Sequence, residues 1–215
     1  MVDGHGHGTH VAATAIGRQF GVAKAANVHA IRVLSDSGSG SMSNIVSGMD
    51  YALLAARSSG RPSIVSMSLG GAANVPIDTA ATALVAAGIH VTVAAGNSNV
   101  NAQNTSPARV QSVITVGASN IADAKASFSN YGPVVDVFAP GQNIISAWKD
   151  SDTATNSISG TSMATPHVAG LVAYLISLEG NVSPTEMEAK LKNYSLKGVL
   201  TGLPTGTANV LVHNL

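Results

Sequence analysis

A hydroxyl, an imidazole and a side-chain amide stand in this sequence where acyl transfer could use them. Ser162 lies in Gly160-Thr161-Ser162-Met163-Ala164-Thr165-Pro166-His167-Val168-Ala169-Gly170, after a flexible Gly-Thr pair and before residues with helical spacing. Its backbone N–H therefore falls among the unsatisfied donors of a helix N-terminus, which favour developing negative charge. A serine there can attack a carbonyl while its own N–H helps to hold the oxyanion. His7, in the glycine-rich run Gly4-His5-Gly6-His7-Gly8-Thr9-His10, is the candidate base, and three of the seven histidines fall in these first ten residues. Asn97 follows the β-branched run His90-Val91-Thr92-Val93-Ala94-Ala95 and offers an amide as a second oxyanion donor. Read one by one, these residues also fit blander roles, since Gly-Thr-Ser makes turns and small-residue helices pack closely on sheets. On residues alone a serine hydrolase and a ligand-binding α/β domain both remain open.

The elements that must position these groups alternate along the chain. Val11 to Ile16 reads as a short helix ended by Gly17, Asn27 to Leu34 as a strand by its alternation, and Ser35 to Ser41 as a Gly/Ser loop. From Ser43, a good N-cap, apolar residues recur at helical spacing to Ser58-Ser59-Gly60. Strands are expected at Ser63–Leu69, His90–Ala95, Ser112–Val116 and Val134–Phe138, with helices at Ile77–Ala87 and Val168–Leu178. Pro166 lies in the first turn of the latter, and Ser183-Pro184-Thr185-Glu186 is a capping box that opens a final helix to about Asn193. Strands alternating with helices through short glycine loops favour a mostly parallel sheet covered on both faces, with ligands bound beyond the carboxyl ends of its strands.

Composition narrows the classes. At 215 residues, 45% hydrophobic and 10% charged, the chain can bury one α/β core and does not read as disordered. Eleven basic residues balance eleven acidic ones, which leaves no electrostatic footprint for nucleic acid or an anionic membrane. The absence of cysteine removes disulfides, thiolate metal sites and a cysteine nucleophile. No unbroken apolar run approaches the ~18 residues of a membrane span, and no signal-peptide plan opens the chain. Asn104, Asn181 and Asn193 each begin a glycosylation acceptor pattern, with Pro following the first two. No Gly-x-Gly-x-x-Gly opens a helix after a strand, which argues against a dinucleotide site.

Four segments taken in order, His7-Gly8-Thr9-His10-Val11-Ala12, Met67-Ser68-Leu69-Gly70-Gly71, Ala94-Ala95-Gly96-Asn97 and Gly160-Thr161-Ser162-Met163-Ala164-Thr165-Pro166-His167, resemble the motifs of the subtilisin-like serine proteases. The likeness is to the proteinase K-like branch of secreted fungal alkaline proteases, and it runs from Asp3 to about Leu178. It implies a three-layer α/β fold with a mostly parallel sheet, and a single catalytic domain over 1–215 that is incomplete at its N-terminus. It puts the general base on His7, the oxyanion amide on Asn97 and the nucleophile on Ser162. It also implies that Leu34, Ser35, Ser37 and Gly38 on one edge, and Ser68, Leu69 and Gly70 on the other, clamp an extended peptide by strand addition. Gly70, Ala94, Ala95 and Gly96 would wall an apolar, permissive pocket for the residue before the scissile bond. No cofactor serves the chemistry, but a structural calcium is implied on the Gln111 and Val113 carbonyls and the Asp136 carboxylate. The implied partners are protein or peptide substrates and a pro-segment inhibitor, for a monomer that is extracellular or vacuolar.

The chain departs from the family in one respect. The third triad member is an aspartate in an Asp-Thr/Ser-Gly motif well before the histidine. Asp3 belongs to the histidine motif itself, while Asp36 and Asp78 lack the context. In subtilisin, a relative, loss of this aspartate alone costs ~3 × 10⁴ in rate, against ~2 × 10⁶ for the serine or histidine. The aspartate also rides on a central strand whose loss leaves backbone groups unpaired, at about 1–3 kcal/mol for each one buried. The two readings are therefore an impaired serine endopeptidase and a pseudoprotease that keeps a peptide groove without turnover.

Overall fold

The computed structural model describes residues 3–214. Five helices form where apolar spacing and caps ask for them: α1 (His7–Ile16), α2 (Met42–Ser59), α3 (Val75–Ala86), α4 (Thr161–Glu179) and α5 (Pro184–Tyr194). Ser41, two residues ahead of the Ser43 expected as N-cap, caps α2 by accepting from the Asn44 N–H, Asn74 caps α3 by accepting from Ile77, and the full Ser183/Glu186 capping box opens α5. Ten strands accompany them: β1 (Ile64–Met67), β2 (Gly71–Ala72), β3 (His90–Ala94), β4 (Thr105–Ser106), β5 (Ile114–Ser119), β6 (Val137–Pro140), β7 (Ile144–Ala147), β8 (Thr155–Ile158), β9 (Leu196–Lys197) and β10 (Val210–Leu211).

The main sheet has the order β1-β3-β5-β6-β10-β9, parallel except for β9. Two antiparallel pairs, β2–β4 and β7–β8, stand apart from it. Side chains of successive strand residues leave by opposite faces, so the sheet divides its core in two. Val91, Val93 and Phe138 pack with Met49, Ile77 and Leu84 of α2 and α3, whereas Ile114, Val116, Val137 and Ala139 pack with Val168, Leu171 and Leu175 of α4 and Met187 and Leu191 of α5. Gly117 is small because the Phe138 ring fills the place of its Cβ, within 2.3 Å. The expected layered α/β fold is the one observed. Helix α4 is long and apolar enough to cross a membrane, although no unbroken apolar run announced it, and most of it is buried in the protein.

Two local expectations change. The alternation of Asn27 to Leu34 marks an extended segment, but no strand forms there, and Val28 is 60% exposed. Its apolar side chains are used against α2, where Ile31 and Val33 close over Gly48, while β1 pairs only with β3 among the described residues. Alternation specifies a pleat, and a strand also needs a paired neighbour. Helices α1 and α4 begin at His7 and Thr161, ahead of the apolar runs that announced them, so the chemistry-bearing residues lie inside the first turns.

Candidate active site

Ser162 is the second residue of α4, whose N-cap Gly160 has no side chain to satisfy the first-turn donors. Those donors face the space beyond the carboxyl ends of β1 and β3. Pro166, one turn on, has no N–H to return to the Ser162 carbonyl. That carbonyl accepts instead from the Ser68 Oγ–H at 2.7 Å, across 94 residues of sequence, and the Ser162 Oγ–H points back to the Ser68 carbonyl at 3.4 Å. The proline thus recruits the Ser68 end of β1 to the nucleophile.

Asn97 is held by its acceptor and free at its donor. Its Oδ1 accepts from the Thr161 N–H at 2.8 Å and the Thr161 Oγ–H at 2.9 Å, which turns Nδ2 toward Gly160. A Cβ built on Gly160 would lie 3.5 Å from Asn97 Nδ2 and 3.6 Å from the Ser162 nitrogen. Asn97 Oδ1 lies 3.7 Å from the same point, so the Asn97 amide and the Ser162 N–H sit beside one small space next to the serine. Two residues that sequence reasoning missed build this. Thr161 fixes the amide, and its Oγ also accepts from Gly96 at 3.1 Å. Buried Asn130 accepts from Ser98 and Val100 at 3.1 Å each and donates to the Ala95 carbonyl at 2.8 Å, fastening the loop that carries Asn97. The only sequence signal for Asn130 is a polar amide in a loop.

His7 opens α1, which packs on α4. His10 acts electrostatically on His167, and the Ala15 carbonyl lies against Gly170, where a Cβ would be 2.7 Å away. Residue numbers rise together along both helices, so they run in the same direction and their first turns, with His7 and Ser162, lie at the same end. The His7 ring makes no hydrogen bond to Ser162. Burial and the nearby His5 and His10 push its pKa below the usual histidine range, while Asp3 pulls the other way. The imidazole is neutral at neutral pH, as a base must be. Asp36 pairs with Arg32 at 2.9 Å and Asp78 with Arg109 at 2.6 Å, and neither acts on His7.

The loop before His7 is shaped by Gly6, at φ 101°, where the Trp148 ring lies 2.6 Å from the site of a Cβ. Gly6→Ala combines strained backbone with a steric clash, so its urea midpoint should fall by the equivalent of about 1–3 kcal/mol. An unchanged midpoint would mean that the loop is not pinned there.

The expected substrate edges flank these groups. The loop at Leu34, Ser35, Ser37 and Gly38 is tied by a Ser35–Ser37 hydroxyl contact of 2.8 Å and by the Gly38 N–H on the Ser35 carbonyl at 2.9 Å. A Cβ on Gly38 would be 3.4 Å from the His5 ring, which brings this loop beside the histidine loop. Ser68, Leu69 and Gly70 lead from β1 toward the small β2–β4 pair, where a Cβ on Gly70 would meet the Ser106 carbonyl at 3.3 Å. Ala94 and Ala95 are buried at the end of β3, with Gly96 half-buried beyond them.

The calcium expected on Gln111, Val113 and Asp136 does not fit the groups present. Asp136 Oδ1 accepts from the Lys192 ammonium at 2.8 Å and Oδ2 from the Thr115 N–H at 2.9 Å, while Lys192 also reaches Glu188 at 2.5 Å. A cation already neutralises this carboxylate, and calcium would have to displace it. A chelator should leave the melting temperature of the native chain unchanged, whereas Lys192→Met should lower it and calcium should then recover part of the loss. A fall on chelation of the native chain would restore the metal at this site.

The subtilase family model matches residues 1–209. The chain is 52% identical over 214 residues to a "Cuticle-degrading protease" of Metarhizium anisopliae, covering 99% of this chain and 55% of that protein. It is 48% identical over 228 residues to "Subtilisin-like serine protease Pen ch 18" of Penicillium rubens, covering 99% and 46%. The chain thus spans about half the length of these curated relatives. Among solved structures, a cold adapted subtilisin-like serine proteinase superposes with a TM-score of 0.95 at 44% identity, over 100% of this chain and 76% of that one. Sphericase superposes at 0.89 with 31% identity, over 100% and 79%. With a family match over residues 1–209 and relatives near half identity over almost every residue, this chain belongs to the subtilase family of serine proteases.

Proposed function

We propose that this chain carries the catalytic face of a serine endopeptidase in which Ser162 attacks a peptide carbonyl of an extended substrate. His7 takes the Ser162 hydroxyl proton as the bond forms, and the Asn97 amide and Ser162 N–H hold the oxyanion. His7 then gives that proton to the leaving amine. A water, deprotonated by His7, cleaves the acyl-serine and regenerates both groups. The observation that carries this reading is the convergence of Asn97 Nδ2 and the Ser162 nitrogen on one space beside Gly160.

The substrate lies as an added strand between the Leu34–Gly38 edge and the Ser68–Gly70 edge, with a small or apolar residue held by Gly70, Ala94, Ala95 and Gly96. No step needs a cofactor. Turnover is slow, because no carboxylate among the described residues contacts the His7 ring, and the cost of lacking one in subtilisin is ~3 × 10⁴. The protein acts outside the cell on protein substrates as a monomer, and a pro-segment occupies the same groove as inhibitor. A second reading, peptide binding without turnover, is favoured by one feature: the Ser162 hydroxyl donates to the Ser68 carbonyl at 3.4 Å and not to the His7 ring.

Incubation with an unfolded protein substrate, followed by mass spectrometry of the fragments, separates the two readings. Slow cleavage that disappears in Ser162→Ala supports the endopeptidase. Saturable peptide binding with no new termini after prolonged incubation supports the binding module.

A further inference from the structure

The turn that carries His7 lacks its own cap. Gly6 is the N-cap of α1, and Trp148 against it excludes a side chain at that position. The first-turn donors of a helix need acceptors, and an N-cap side chain ordinarily supplies one to the third helical residue. Here Asp3, three residues further upstream, supplies it. Asp3 Oδ2 accepts from the Thr9 N–H at 2.9 Å and the Thr9 Oγ–H at 2.7 Å, and Oδ1 accepts from the His5 N–H at 3.0 Å and the Gly6 N–H at 2.8 Å. One carboxylate therefore ties down the chain on both sides of His7, with two backbone bonds before it and one backbone and one hydroxyl bond after it.

We propose that Asp3 is a positioning residue for His7, clamping residues 5 to 9 so that the imidazole faces the nucleophile and supplying a fixed negative charge near the ring. This rests on the reading of His7 as the base. Asp3 makes no hydrogen bond to the His7 ring, so it acts through the backbone and through its field. Burial opposes its ionisation, but the hydrogen bonds from Gly6, Thr9 and His5 hold its carboxyl well below the usual carboxylate range. It stays anionic wherever His7 titrates. Of the charged or titratable groups that act on His7, His5 and His10 disfavour the imidazolium and Asp3 alone favours it. The transient imidazolium of acyl transfer thus has one stabilising charge among the described residues.

The test uses the 215-residue chain and Asp3→Asn, which keeps an acceptor for His5 and Gly6 but loses the charge and the acceptor for Thr9. NMR of the ring nitrogens follows the His7 titration, and a fluorophosphonate reports the reactivity of Ser162. In Asp3→Asn the His7 midpoint should move to lower pH, the Gly6 and Thr9 amide signals should shift, and labelling should slow about 10- to 100-fold. Asp3→Glu should recover part of the His7 midpoint. A His7 titration identical to the native one in Asp3→Asn, even with a lower melting temperature, would reduce Asp3 to a structural cap and overturn the proposal. The titration needs no catalysis, so a shifted His7 in a chain whose Ser162 never labels would uphold the positioning while sinking the endopeptidase reading.

Discussion

His7→Ala is expected to slow fluorophosphonate labelling of Ser162 by about 10²-fold and to abolish its pH dependence. The size follows from non-additivity. In subtilisin, removing the aspartate alone costs ~3 × 10⁴ and removing the histidine ~2 × 10⁶, the same as removing the whole triad. In the 215-residue chain, where no carboxylate among the described residues contacts the His7 ring, only the remaining factor of about 10² is left to lose. In the native chain the rate should rise with pH as His7 gives up its proton. The midpoint should lie below the ordinary histidine value of about 6.5, because burial, His5 and His10 all disfavour the imidazolium. Helix α1 should survive the substitution, since its first turn is capped by Asp3 and not by the His7 side chain. A rate that keeps its pH midpoint in His7→Ala would assign the base to another group.

The second large effect is at Asn97. Removing an oxyanion donor costs about 10²–10³ in rate, the figure known from the corresponding change in subtilisin, a relative. Leucine in place of Asn97 would also strand the Thr161 N–H and hydroxyl, at about 1–3 kcal/mol of stability for a buried group. Asn97→Asp separates the two contributions, because it keeps an acceptor for Thr161 while the donating nitrogen gives way to a carboxylate oxygen, whose negative charge further disfavours the oxyanion. Labelling in Asn97→Asp should fall by the full factor while the melting temperature stays near that of the native chain. Labelling at the native rate would show that the amide does not face the reacting oxygen.

The residues that announce the site do so through local signals. Glycines before His7 and Ser162, a helical pattern after each, and a β-branched run before Asn97 place all three at element ends, where the fold has them. What holds them is non-local, and adjacent residues cannot reveal it. Pro166 signals a freed carbonyl, but its partner Ser68 is 94 residues from Ser162. Asn130 anchors the Asn97 loop across about thirty residues, and Trp148 dictates the glycine at position 6 from a hairpin, β7–β8, that the sequence pattern did not announce. Asp136 offered a carboxylate of the right type for calcium, and only the fold shows that Lys192, 56 residues on, takes it. The Asn27–Leu34 alternation failed for a related reason, since a pleat is written in the segment and its partner is not.

The most direct measurement of the central claim is fluorophosphonate labelling of the 215-residue chain, with the modified residue identified by mass spectrometry. Slow, stoichiometric modification of Ser162 alone is expected, lost in Ser162→Ala and slowed in Asn97→Asp and His7→Ala. A folded chain in which Ser162 stays unmodified, or a Ser162→Ala chain that is modified at the native rate, would contradict that claim.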